Sequence, residues 1–498
     1  MGRKLPIFYS ALLLTGVNLL LRLVSTSFQV HISGRIGAAG VGLLQLVMSV
    51  GALAMTAGMA GVRTATMYLT AEELGRRQPK NVAWVLSGCF LYSVLCSGTV
   101  AAAVYWAAPW LAGSWIGDIR TLGAIRLFAG FLPLVCLCGC MTGYFTAAGR
   151  IGTLAMVEIA EQLCYMAVTM TALHLWAGAD PGKACQAVVL GSGVSACLTL
   201  LCLVVLRLLE KQPPGPRIPV ASRLLQIAVP LALADDLKSG ISTTENLMVP
   251  KRLALYPGEL TPLATFGMVC GMVFPVLMFP AAILFALAEL LIPELARCNA
   301  AGSRARIRYL VRRSLRIAML YGCLCSGLMF LLAEDLCTAL YSSEAAGIHL
   351  RRYSLLVPML YCDAITDAMT KGLGQQKACV RYNILTSSMD VLFLYLLLPR
   401  YGMEGYFFSF LITHLINFLL SLRRLLKISG VKLPFYIPAL SGSAAALACM
   451  AAGLLTGVWG RVLGFSILFG CLLTVTDIVS MADLRWLKGL VSRKMTHR

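Results

Sequence analysis

The sequence predicts an all-α membrane protein that crosses the bilayer many times. Of its 498 residues, 59% are hydrophobic and 13% are charged, whereas a soluble domain carries about 25% charged residues. Mean hydropathy is +0.80, so the chain lacks the polar surface that a water-soluble core requires. The apolar runs are long and continuous, unlike the alternating pattern of an outer-membrane barrel. A soluble enzyme and a nucleic-acid-binding domain are therefore disfavoured.

About fourteen apolar runs have the length needed to cross a bilayer, and short polar or Gly/Pro-marked loops separate them. The first run lacks an obvious small-residue cleavage site, so it is interpreted as a helix rather than a removable signal peptide. The predicted spans cover residues 6–32, 42–69, 82–111, 121–147, 154–177, 184–208, 222–249, 262–293, 307–333, 350–373, 379–399, 403–426, 436–458 and 462–482.

Charge distribution supports this number of spans. The formal net charge is +20, from 42 Lys and Arg against 22 Asp and Glu, and cytoplasmic loops accumulate Lys and Arg. With the N-terminus inside, most basic residues fall on the inner loops, which predicts that both termini are cytoplasmic. One inner loop is expected to contact anionic lipid head groups, and no nucleic-acid partner is expected. Its basic residues are Arg304, Arg306, Arg308, Arg312 and Arg313.

A weak internal repeat predicts the domain organisation. Small-residue stretches followed by a basic residue end the fourth span at 141–150 and the tenth span at 369–377. Six spans separate them, which preserves orientation and fits two parallel halves. The predicted N-terminal lobe covers residues 1–215 with spans one to six, and the C-terminal lobe covers 216–430 with spans seven to twelve. Residues 431–498 add the last two spans and a basic cytoplasmic tail.

Four stretches, taken in order, resemble one branch of a known transporter superfamily. They are GAAGVGLLQ at 37–45, LMVPKRL at 247–253, the Gly- and Pro-marked run at 267–293, and LAEDLC at 332–337. Their order and spacing are similar to those of the stage V sporulation protein B branch of the multidrug/oligosaccharidyl-lipid/polysaccharide (MOP) exporter superfamily. The resemblance covers about residues 5–430.

The resemblance implies two six-helix lobes around a central cavity that opens alternately to each side of the bacterial cytoplasmic membrane. It implies export of an undecaprenyl-linked cell-wall or polysaccharide precursor, with a role in spore-cortex peptidoglycan synthesis. A transporter of this kind is expected to act as a monomer without a cofactor. The sequence contains no Walker motif and no apparent nucleophile with a supporting base, so an enzyme is not predicted.

Cationic residues inside the spans are the first candidate site. A charge at the centre of a membrane helix costs at least about 2.5–3.5 kcal/mol, so each one needs an explanation. Arg22 and Arg63 lie in the first two spans and Lys238 in the seventh. Two guanidinium groups would suit a pyrophosphate, whose oxygens they can bind bidentately. Snorkelling toward the membrane surface or structural pairing is the alternative for each.

The resemblance adds a fourth candidate and two departures. Gln29 stands where the family often has Arg, and Arg63 stands where it often has Pro. The cavity cations are therefore arranged differently in this chain, and the four candidate substrate-cavity residues are Arg22, Gln29, Arg63 and Lys238.

Acidic residues in the seventh and eleventh spans are candidates for ion coupling. The seventh span carries Asp235, Asp236 and Glu245, and the eleventh carries Asn383 and Asp390. In related flippases, polar residues of these two spans and a neighbour form a sodium site. The resemblance therefore predicts a monovalent cation at Asp235 or Asp236 with Asp390, and a structural polar network is the alternative.

The tenth span carries a polar stripe. Asp363, Asp367 and Lys371 follow each other at four-residue spacing and therefore share one face of a helix. Acids placed N-terminal to Lys at this spacing form the favourable ion-pair order. The stripe either stabilises its helix or faces a cavity.

Three functions remain open at this stage. The leading hypothesis is a flippase for a lipid-linked anionic saccharide, because the first lobe is basic. The runner-up is a cation-coupled multidrug antiporter, which the acids of the seventh and tenth spans permit. The third is a non-transporting membrane scaffold that recruits enzymes of wall synthesis through its basic loops.

Overall fold

A computed structural model describes residues 7–76, 78–177, 180–209, 220–431, 436–476 and 478. Throughout these ranges the regular secondary structure is helical. The α-helices, in chain order, are α1 Ile7–Met59, α2 Val62–Gly75, α3 Val82–Trp110, α4 Leu122–Ala147, α5 Ile151–Ala172, α6 Pro181–Leu208, α7 Ala221–Leu253, α8 Pro262–Met268, α9 Phe274–Met278, α10 Ala281–Ala300, α11 Arg304–Tyr341, α12 Glu344–Ser354, α13 Val357–Gly372, α14 Gln376–Ser429, α15 Tyr436–Gly453 and α16 Val458–Val475.

Two of these helices are each long enough for two membrane spans. α1 has 53 residues and α14 has 54, whereas one span needs about 20. Gly37 divides α1 at φ 68°, ψ 173°, and Gly402 divides α14 at φ 57°, ψ −138°. The backbone region that Gly37 occupies is essentially restricted to glycine. With these divisions, and with short helices joined to their neighbours, the described helices match the fourteen predicted spans, which confirms the predicted fold class.

Length and composition identify the most apolar of these spans. Eight helical stretches in the described ranges are long and apolar enough to cross a membrane, and a bent pair adds a ninth. α7 and α13 are not among these stretches, and they carry Lys238 and the polar stripe, whereas Arg22, Arg63 and Asp390 lie in stretches that are long and apolar enough.

The second predicted span is broken between α1 and α2. Ala60 has φ 41° and Gly61 has φ 71°, so the chain leaves the helix for two residues and starts again at Val62. A Cβ atom on Gly61 would lie 2.6 Å from the carbonyl oxygen of Ala228. Glycine is therefore required here because α7 crosses directly against the break. Arg63 is the second residue of the new helix.

The eighth span is bent by 62° between Pro262–Met278 and Ala281–Ala300. Two tyrosines supply hydrogen bonds at the bend: the hydroxyl of Tyr361 donates to the Leu277 carbonyl and that of Tyr321 to the Pro280 carbonyl, each at 2.9 Å. Their rings stack with centroids 6.0 Å apart. Backbone carbonyls in the hydrocarbon core need partners within the protein, so these tyrosines stabilise the bend.

The chain forms two compact units. Unit 1 comprises Met1–Met272 and Ser387–Tyr406. A buried apolar core within it joins α2, α3, α4, α6 and the start of α7, and includes Leu69, Phe145 and Leu224. The predicted lobe boundary at residue 215 rests on the sequence repeat. That boundary stays a prediction.

Unit 2 comprises Val273–Thr386 and Phe407–Arg498. Its core includes a small-residue face of α15 and two stacked rings of α16, Phe465 and Phe469, packed around Cys323 of α11. A Cβ atom on Gly327 would lie 2.1 Å from the Phe465 ring, so this glycine lets α16 dock closely on α11.

Candidate functional site

The polar side of α7 lies against α1 within unit 1. Thr243 donates a hydrogen bond to the Ser49 carbonyl, and the Asn246 amide donates to the Ser49 hydroxyl, both at 3.0 Å. Ser49 in turn donates to the carbonyl of Gln45 at 2.8 Å. These contacts account for Thr243 and Asn246, since polar side chains placed in the membrane must find partners in the protein.

The carboxyl groups of Glu245 on α7 and Asp390 on α14 lie against each other. Asp390 is 6% exposed, and Glu245 is partly buried. The thiol of Cys270 is nearby and lies 3.7 Å from the hydroxyl of Tyr406. Two carboxyl groups in contact need a cation or a proton between them, because like charges repel strongly where the dielectric constant is low. The pair can therefore bind either one.

The structure places the other predicted ion-coupling residues elsewhere. Asp235 is exposed, while Asp236 is partly buried with its Oδ1 atom lacking a hydrogen-bond partner. Glu245 follows Asp236 by nine residues, which is about 13 Å along a helix. Asp390 therefore meets Glu245 instead of the predicted Asp235 or Asp236. Across the described ranges there is no cluster of three or more His, Cys, Asp or Glu residues arranged to hold a metal ion.

Asn383 precedes Asp390 by seven residues on α14 and is partly buried, and its backbone carbonyl accepts a bond from Thr386 at 3.3 Å. The tenth-span stripe lies on α13 in unit 2. Lys371 pairs with Asp367 at 2.6 Å, and Asn417 donates to the Asp363 carboxylate at 3.2 Å. These partners favour the helix-stabilising interpretation of the stripe.

The two arginines of the first spans lie far from the charged loops. Arg63 precedes Glu72, the next charged residue, by nine residues, and Arg22 precedes Arg35 by thirteen, which is about 13 Å and about 20 Å along a helix. Both distances exceed the length of an arginine side chain, which disfavours snorkelling for both. Both side chains are exposed. Arg63 interacts with the carboxylate of Glu158 on α5.

The remaining two cavity candidates differ in their surroundings. The Gln29 amide donates to the carbonyl of Gly271 at 3.3 Å, where a Cβ atom would lie 2.0 Å from Val41. Gln29 therefore joins α1 to the segment between α8 and α9. Lys238 is exposed on α7.

The sequence reasoning missed two adjacent acids, Glu72 and Glu73, at the C-terminal end of α2. Arg223 of α7 contacts Glu72 at 2.5 Å and Glu73 at 2.9 Å. Asn81 donates to Glu73 at 3.0 Å, and Arg76 contacts Glu72 at 2.6 Å. Two adjacent acids at a span end among basic loop residues were the available signal. Their partner lies 150 residues away, and local spacing does not reveal it.

Comparisons with known proteins agree with this architecture. A family model described as MatE matches residues 14–174. Stage V sporulation protein B of Bacillus subtilis (strain 168) is 20% identical over 402 residues, covering 78% of this chain and 77% of that protein.

Two solved structures share the fold over nearly their whole length. The lipid II flippase MurJ in an inward closed conformation has a TM-score of 0.69 at 11% identity, covering 93% of this chain and 98% of that one. An inward-facing multidrug resistance MATE family transporter of the MOP superfamily has a TM-score of 0.66 at 13% identity, covering 84% and 100%.

The fold and the span pattern together define a multi-pass membrane protein with the architecture of the MOP-superfamily transporters. Within that class, the resemblance to the stage V sporulation protein B branch, first indicated by four motifs, is confirmed.

Proposed function

We propose that the protein is a flippase for a lipid-linked saccharide that carries an anionic phosphate or pyrophosphate, working by alternating access. The similarity to stage V sporulation protein B and to the lipid II flippase MurJ supports this class of substrate. The saccharide head group would cross through the protein while the prenyl tail stays in lipid. An undecaprenyl-linked precursor of peptidoglycan or another wall polysaccharide fits this chemistry.

The depth of Arg63 in unit 1 carries the proposal. This side chain is exposed about 13 Å along α2 from Glu72, the next charged residue, and follows directly on the break at Ala60 and Gly61. Backbone N–H groups at the start of α2 add positive potential there. Arg22 supplies a second deep cation. A guanidinium binds phosphate oxygens bidentately, so these positions favour an anionic head group.

We infer that the Glu245–Asp390 pair couples transport to an ion. A cation or proton held between the carboxyl groups would neutralise them, and its release would restore their repulsion. Because one carboxyl belongs to α7 and the other to α14, the ion would change how strongly these helices attract each other. The membrane potential or an ion gradient can then drive the conformational cycle.

Translocation in vesicles tests the flippase proposal. Purified protein would be reconstituted with a labelled undecaprenyl-pyrophosphate saccharide, and movement across the bilayer would be measured for wild type, Arg22→Gln, Arg63→Gln and the double variant. Losing one charged hydrogen-bond donor costs about 1.5–3 kcal/mol, so roughly tenfold or greater loss is expected per site. Arg126→Gln is the matched control, because Arg126 lies over the Tyr105 ring near the outer surface. Unchanged translocation in the double variant would exclude the cationic site.

A multidrug antiporter is the second candidate, and the Glu245–Asp390 pair favours it, since buried carboxylates attract cationic drugs. Growth in the presence of cationic dyes, with and without the gene, discriminates the two functions. Protection against dyes together with wild-type translocation in Arg22→Gln/Arg63→Gln would replace the flippase with the antiporter.

A further inference from the structure

Glu72, Glu73 and Arg223 form a charged cluster where the C-terminal end of α2 meets the N-terminal end of α7. None of these charges stabilises the helix that carries it. Glu72 and Glu73 occupy the last turn of α2, where the helix dipole disfavours negative charge, and they also repel each other. Arg223 occupies the first turn of α7, where the dipole disfavours positive charge. Each group stands at the wrong end of its own helix, so only the contact between the helices explains them.

The contact between α2 and α7 is shielded from solvent on the side of Glu73. The Glu73 side chain is 2% exposed, and next to the ion pairs an apolar seam joins Leu69 of α2 with Leu224 and Ala228 of α7. A buried carboxylate without a cation is strongly unfavourable. The closed arrangement therefore depends on Arg223. At the opposite end of α7 no carboxylate is involved in the described contacts: Lys251 donates to the Ser114 carbonyl, and the Arg252 guanidinium lies over the Tyr395 ring.

Both carboxylates also have a local partner that would remain if α7 moved away. Arg76 lies one turn after Glu72 on the same helix and already contacts it. Asn81 follows in the loop after α2 and already donates to Glu73. Separation would hydrate the two acids and leave each with its local partner. The cluster can thus open and close reversibly instead of fixing the two helices permanently.

We propose that Glu72, Glu73 and Arg223 form a cytoplasmic gate, which is closed in this conformation and opens when the inner ends of α2 and α7 separate. This rests on the proposed function, because only a transporter needs its inner face to open for a head group. α2 and α7 pack together within unit 1 in this conformation, whereas the predicted lobe boundary at residue 215 separates them, and on that prediction the gate would join two moving parts.

Hydrogen–deuterium exchange of the purified full chain in lipid nanodiscs, with no substrate present, tests the gate. Arg223→Ala should raise amide exchange in peptides 62–76 and 220–228 by about tenfold or more, equivalent to about 1.4 kcal/mol. Exchange in α15 and α16 should stay unchanged, which verifies the fold. Arg76→Ala is the matched control, since it removes an arginine that contacts Glu72 within α2, and should leave peptide 220–228 unchanged.

A charge swap makes the test independent of overall stability. Arg223→Glu should open the gate as Arg223→Ala does, and adding Glu73→Arg should return exchange toward the wild-type value. If Arg223→Ala unfolds the whole chain, Arg223→Lys, which keeps the charge but loses the two-pronged contact, should give an intermediate, local increase. No increase beyond that of Arg76→Ala, or no recovery in the swap, would overturn the gate. Because exchange is measured without transport, either result leaves the flippase proposal to its own experiment.

Discussion

Replacing Tyr361 by Phe removes the hydroxyl group that donates a hydrogen bond at the bent eighth span. The ring keeps its buried position and its stacking on Tyr321, whereas the Leu277 carbonyl loses the hydroxyl that lies 2.9 Å away. Pro280 has no N–H group, so the local backbone has fewer donors to offer in replacement. Leaving a buried carbonyl without a donor costs about 1–3 kcal/mol.

In membrane proteins the measured cost of losing a hydrogen bond is smaller. Double-mutant cycles in membranes average about 0.6 kcal/mol per hydrogen bond, with a maximum of about 1.7, because the unfolded state also finds partners. We therefore expect Tyr361→Phe to destabilise the protein by about 1–1.7 kcal/mol. Tyr321→Phe should cost less, because the Pro280 carbonyl also accepts from the Ile283 N–H at 3.3 Å.

A thiol-reactive fluorescent dye measures the unfolding directly, since most of the 18 cysteines are buried or partly buried. The midpoint should fall most for Tyr361→Phe and less for Tyr321→Phe. Tyr401→Phe is the control, because that side chain is 56% exposed, and should melt as wild type does. A Tyr361→Phe midpoint equal to wild type, or a larger effect of Tyr321→Phe, would refute the account of the bend.

Three further predictions concern Gly37 within α1, the loop after α3 and the Glu245–Asp390 pair. Gly37→Ala should lower the melting midpoint by an amount corresponding to about 1–3 kcal/mol, since the φ of 68° with ψ of 173° suits only glycine; an unchanged midpoint would contradict this. The Arg120 guanidinium holds the pKa of Asp118 below its usual value, so the stability Asp118 adds is present above about pH 3.9 and is lost as the pH falls through the lowered pKa. Melting of Asp118→Asn should therefore approach that of wild type only in acid, and a constant difference down to pH 2 would count against the ion pair. Glu245→Gln or Asp390→Asn should abolish the dependence of translocation on an imposed ion gradient, measured in vesicles; full retention in both would exclude the pair as the coupling site.

The sequence was sufficient to predict properties that depend on local length and hydropathy. The fourteen spans follow from apolar runs, and the positions of Arg22 and Arg63 inside the first two spans are read directly from the sequence. The break after Met59 and the bend at Pro280 lie inside single apolar runs, where hydropathy does not distinguish a broken helix from a straight one.

Contacts between distant spans could not be predicted, because the sequence does not show which residues of two packed helices lie at the same level. Asp390 meets Glu245 and not Asp236, a difference of nine residues along α7 that leaves the hydropathy pattern unchanged. Arg223 lies in the first turn of α7, and its contact with Glu73 requires knowing that α7 passes beside α2. Residues that act through such contacts become visible only when the helices are packed.

The tyrosine bonds at the bent eighth span also set an order for biosynthesis. Each carbonyl leaves the ribosome well before its donor: Tyr321 follows Pro280 by 41 residues, and Tyr361 follows Leu277 by 84 residues. The Pro280 carbonyl has the nearby Ile283 N–H as a donor, but until α13 inserts the Leu277 carbonyl needs water, lipid head groups or insertion machinery as a partner. The span therefore enters the membrane either straight or incompletely buried, and it acquires its final angle only after α13 has arrived.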